Sequence, residues 1–78
     1  MEPNNRLIQL RSNNKLSQEE LAENVGISQS MIARIESGER DPGTGTKIKM
    51  AQYFKVSVEW LFYEQLYDQQ PYNGTEGQ

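Results

Sequence analysis

Apolar residues along this chain recur at intervals of three and four and nowhere alternate at two, which predicts helices throughout and no strand. Leu7 and Leu10, with Ile8 widening the stripe, mark a first helix over residues 4–13. "SNNK" ends it, with Asn13 or Asn14 suited to a left-handed turn. Leu21 and Val25 lie four apart beside Ala22 in a second helix over 17–24, where Ser17 and Glu20 have capping-box spacing and Gly26 suits the positive φ of a C-cap. Ser28 opens a third helix over 28–37 with Ile32 and Ile35 inward, and Gly38 closes it. "GERDPGTGT" reads as a loop. A fourth helix begins at Thr44 or Gly45 and runs to 54, with Ile48, Met50, Ala51 and Phe54 as its apolar side. Ser57 caps a fifth over 58–66, whose Val58, Leu61 and Phe62 face the core while Trp60 and Tyr63 point elsewhere. The expected architecture is one compact all-α domain of five helices over 1–67. The polar stretch 68–78, with Pro and two Gly, is expected to be a disordered tail.

The junction between the second and third helices is the informative one. Fewer than four residues, with a glycine stop and a serine start, separate them, so the two must cross steeply. The small side chain of Ala22 lets them approach. That is helix-turn-helix geometry, in which the second helix of the pair can lie in a DNA major groove. Rotation at ~100° per residue, with Ile32 and Ile35 inward, turns Ser30, Ala33, Arg34 and Ser37 outward, with Gln29 at the edge. Gln and Arg are the side chains that pair bidentately with adenine and guanine edges, so Gln29, Ser30 and Arg34 are the candidate base readers. The first turn of the second helix, with Gln18, offers free N–H groups to a phosphate. Ser28, Ser37, Gly38 and Arg40 are candidates on the other side, and Lys47 and Lys49 are further ones. Each of these residues, taken alone, is as well explained as an ordinary solvated cap or surface charge; the shared pattern is what favours contact.

Charge complicates the picture. The net charge is −3, unpromising for a polyanion partner. Residues 1–50, however, hold seven Lys/Arg against seven Asp/Glu, and the deficit comes from the remainder. The absence of histidine and cysteine removes the commonest general base, disulfides and thiolate metal sites, and no catalytic constellation is visible. We therefore expect no enzyme activity, no cofactor, no metal and no small-molecule substrate. No apolar run approaches a membrane span, so a cytoplasmic location is expected.

The segment "LSQEELAENVGISQSMIARIESGERDP…KMAQYFKVSVEWLF" resembles the Cro/CI-type, or XRE-like, helix-turn-helix regulators over roughly residues 6–62. "SQEELA" followed by "G-I-S-x-S-x-I-x-R-I-E-S-G" carries the likeness. The resemblance implies a lambda-repressor-like five-helix fold, sequence-specific binding of double-stranded DNA as a homodimer, and transcriptional control. By position it implies phosphate contact at Gln18 and base reading at Gln29, Ser30 and Arg34. It also implies an Arg11–Glu36 pair joining the first and third helices, and a backbone contact at Ser37 and the loop beyond. "GTGT" departs from the serine cap and leucine usual in the family. Trp60, Tyr63 and Tyr67 are either a dimer surface or the cover of the protomer's own core. The rival reading is a protein-interaction module or antitoxin-type partner that uses those aromatics.

Overall fold

The computed structural model describes residues 2–64. The expected tail and Tyr67 lie outside the described residues. Four α-helices follow one another, α1 (Asn5–Asn13), α2 (Gln18–Val25), α3 (Gln29–Ser37) and α4 (Thr44–Phe54), and a fifth, π-helical element spans Glu59–Glu64. Among the described residues no strand occurs. The largest fully buried side chains are Leu7, Leu21, Ile32, Met50 and Leu61, one from each helix. Each contributes roughly 1.5–3 kcal/mol by leaving water, so the five elements share one core rather than pairing off.

Capping decides where the helices stop. Ser17 and Glu20 form the reciprocal capping box at the start of α2, and Gly26 (φ 86°) ends it in the left-handed region. Ser28 Oγ accepts the Met31 N–H at the start of α3, and Gly38 (φ 84°) ends that helix. A Cβ at Gly26 would meet open space, so conformation alone selects glycine there. At Gly38 a Cβ would also collide with the Glu2 carbonyl, because the N-terminal segment crosses the end of α3.

Four details depart from the sequence expectation. The left-handed residue after α1 is Lys15 (φ 58°), not an asparagine, and Lys55 (φ 60°) does the same after α4. α4 buries Lys47 along with Met50 and Ala51, whereas Ile48 stays 41% exposed. Residues 47, 50, 51 and 54 form the i, i+3, i+4, i+7 stripe, which differs from the expected one only in holding Lys47 in place of Ile48. The fifth helix is π rather than α, with its Trp60 carbonyl accepting from Arg6 of α1 and its Leu61 carbonyl from Asn4, the N-cap of α1. Trp60 is half-buried against the core rather than pointing away from it.

Asn4 locks the N-terminal end to this arrangement. Its Oδ1 accepts the Leu7 N–H, its N–H donates to the Glu36 carbonyl at 2.8 Å, and its Nδ2 donates to the Leu61 carbonyl. One buried residue, through its side chain and its backbone N–H, thus ties α1, α3 and the fifth helix together. Arg6 adds a second tie. Its guanidinium donates to the Trp60 carbonyl and lies 4.6 Å from the centre of the Trp60 ring.

Candidate nucleic-acid interface

α2 packs chiefly on α3, and Leu21, Ala22, Val25, Ile32 and Ile35 fill the contact. The turn between them is closed by the Gly26 and Ile27 N–H groups, which both donate to the Ala22 carbonyl. This sharp closure brings the first turn of α3 beside the first turn of α2. Gln29, Ser30, Arg34 and Ser37 are exposed. The Arg34 guanidinium makes no ion pair or hydrogen bond among the described residues, nor does that of Arg40.

Behind the exposed face runs a continuous chain of polar contacts. Arg11 Nε donates to Glu36 Oε2 at 2.6 Å and its Nη2 to Oε1 at 3.2 Å, the expected pair in bidentate form. A third guanidinium N–H reaches the Leu16 carbonyl. Gln18 Nε2 donates to Glu36 Oε1 at 3.0 Å, and Gln29 Nε2 donates to Gln18 Oε1 at 2.7 Å. The direction of this relay is forced. An ionised carboxylate only accepts, so Gln18 must turn its NH₂ to Glu36 and its oxygen to Gln29. Gln29 must then give an N–H, which leaves its Oε1 and second N–H facing outward. That pair matches the N6 donor and N7 acceptor of adenine. The sequence placed Gln18 and Gln29 at the site but carried no sign that one orients the other.

Arg11, Ser17, Gln18, Glu19 and Gln29 line an open cleft of about 420 Å³ at the N-terminal end of α2. The capping box satisfies the Ser17 and Glu20 N–H groups, and the Gln18 and Glu19 N–H groups belong to the same first turn, whose residues line the cleft. An anion is favoured there by the helix dipole and opposed by the Glu19 carboxylate.

Three expected backbone contacts are differently employed. The Gly38 N–H donates to the carbonyls of Arg34 and Ile35, and Glu2 covers its α-carbon, so it has no donor to give a phosphate. Ser37 Oγ donates to the Arg34 carbonyl and would have to exchange that bond. Lys47 is turned inside. Its ammonium lies 3.1 Å from Asp41 Oδ1, donates to Tyr63 Oη at 2.8 Å, and sits over the Tyr63 and Phe62 rings at 4.5 and 5.7 Å. Burial alone would lower its pKa, but the hydrogen bonds to Tyr63 and Asp41 and the Asp41 charge outweigh it, and the pKa is raised. Helical spacing with Met50, Ala51 and Phe54 was the signal that could have revealed this. Ser28 keeps a free hydroxyl proton beyond its cap bond, and Lys49 is exposed.

Of the candidate assembly surface, Tyr63 is 43% exposed and Trp60 is half-buried over Arg6. No described helix is long and apolar enough to cross a membrane, and no described cluster of acids would hold a metal ion.

A steep two-helix junction with an exposed polar face on its second helix, set in a five-helix core, defines a helix-turn-helix DNA reader. A helix-turn-helix family model matches residues 7–61, and the chain belongs to that family of DNA-binding transcriptional regulators. It is 38% identical over 58 residues to an HTH-type transcriptional regulator of Methanocaldococcus jannaschii, covering 74% of this chain and 88% of that one. It is 37% identical over 62 residues to the HTH-type transcriptional regulator YvzC of Bacillus subtilis, covering 80% of each. The restriction-modification controller protein C.AhdI from Aeromonas hydrophila superposes with a TM-score of 0.66 at 33% identity, over 73% of this chain and 86% of that one. The Cro/CI-type assignment and the all-α fold read from the sequence both hold.

Proposed function

We propose that this protein is a cytoplasmic repressor that binds a roughly palindromic operator as a homodimer. Each protomer sets α3 into the major groove, with the two copies about one helical turn (~34 Å) apart. Gln29, Ser30 and Arg34 read base edges. Gln18, Ser28 and Arg40 hold the backbone, with Ser37 joining by exchange of its internal bond. The carrying observation is the exposed α3 face with Gln29 already oriented through Gln18 and Glu36. A side chain that need not be immobilised on binding loses less entropy and discriminates better. The dimer rests on the exposed edge of the fifth helix around Tyr63.

Selection of bound sites from random duplex DNA tests this reading. A symmetric site with half-sites one turn apart is expected, and an unsymmetric or featureless pool would refute the dimer. Arg34→Ala should relax preference at one half-site position by about 1–3 kcal/mol. Gln18→Ala should weaken binding to all sequences and also loosen the position read by Gln29, because it removes the group that orients that amide.

A further inference from the structure

Arg40 is the one cation on the loop after α3, and its backbone is held from both sides. Its N–H donates to the Arg34 carbonyl at the end of α3. The next two residues are Asp41, bound to Lys47, and Pro42, which is buried. Lys47 is in turn bound to Tyr63 on the fifth helix. We propose that Lys47 is a positioning residue for DNA binding: through Asp41 it holds the loop so that Arg40 meets the phosphate backbone, and through Tyr63 it references that grip to the fifth helix. The inference rests on the phosphate contact assigned to Arg40.

Three observations support it. The N-cap of α4 is Gly43, which makes no side-chain cap bond, so the loop lacks the serine that would otherwise fix this corner. Lys47 stands in the first turn of α4 and takes over that task from within. The side chain of Asp41 is 82% exposed while that of Lys47 is only 7% exposed, so the bond pulls a surface loop onto an interior anchor. The two aromatic faces and the Tyr63 hydroxyl hold the ammonium in place, whereas a free lysine would sample many rotamers.

Asp41→Ala separates this role from simple electrostatics. Asp41 is an acid near a polyanion, so as a mere repelling charge its removal would strengthen DNA binding. As the tether for Arg40, its removal should weaken binding about tenfold at 0.1 M salt, the scale of one charge-assisted contact. The slope of log K against log salt should shrink by about 0.9, one phosphate. Lys47→Met should do the same with Asp41 intact, and combining either change with Arg40→Ala should add nothing further. Arg40→Ala alone tests the underlying assignment: an unchanged slope there removes the phosphate contact itself. If Arg40→Ala shrinks the slope but Asp41→Ala strengthens or preserves binding, or if the double variants are additive, the positioning role is overturned.

Discussion

Glu36 and Lys47 each bring a charge into the interior of a small domain, and they are neutralised in different ways. Glu36, on α3, meets Arg11, whose side chain is itself only 19% exposed, and a second donor in Gln18. Lys47, on α4, meets an acid in open solvent and two ring faces. Removing Glu36 strands a largely desolvated guanidinium and frees Gln18. Removing Lys47 strands only a hydrated carboxylate. Burial of the partner, more than burial of the group itself, therefore sets what each charge is worth. The Glu36 cluster also ends at the exposed face of α3, so its rigidity is passed to Gln29; the Lys47 cluster ends at the loop that carries Arg40.

The largest expected effect is that of Glu36→Ala, about 3–5 kcal/mol lost in urea unfolding, together with loss of sequence preference at the Gln29 position. Lys47→Met keeps the aliphatic packing and should cost only about 1–2 kcal/mol, from lost cation–π and hydrogen-bond contacts. Equal losses from the two variants would erase the contrast. The pH dependence sharpens it further. The Lys47 pKa is raised in the folded state, so its stabilisation is complete below the unfolded value of about 10.4 and disappears as pH climbs through the folded one. Unfolding measured from pH 9 upward should show wild type losing its advantage over Lys47→Met.

The same contrast explains what the sequence disclosed. The five helices, the capping box at Ser17 and Glu20 and the glycine stops were legible because each is a local signal. Arg11 and Glu36 came from the family pattern, and their geometry agrees with it. The burial of Lys47 is legible in its helical spacing with Met50, Ala51 and Phe54, but its bonds are not, because Tyr63 stands sixteen residues away on another helix. Asn4 reads in the sequence as the first residue of the first helix; it is that helix's N-cap, and its other bonds reach Glu36 and Leu61, far away along the chain. The Gln18–Gln29 relay needed the distance between two first turns, which the glycine–serine junction sets only in three dimensions.

The smallest expected change runs the other way. Lys15 and Lys55 both occupy backbone wells that glycine enters with less strain. Lys55→Gly should raise stability by roughly 0.5–1 kcal/mol, readable as a higher melting temperature. A chain carrying net charge −3 has few cations to spare, and replacing both lysines would remove two of its eight. Ruggedness gained in this way would be offset by slower capture of duplex DNA at low salt. The two kinked lysines thus mark where an engineer seeking a hardier scaffold would trade away reach.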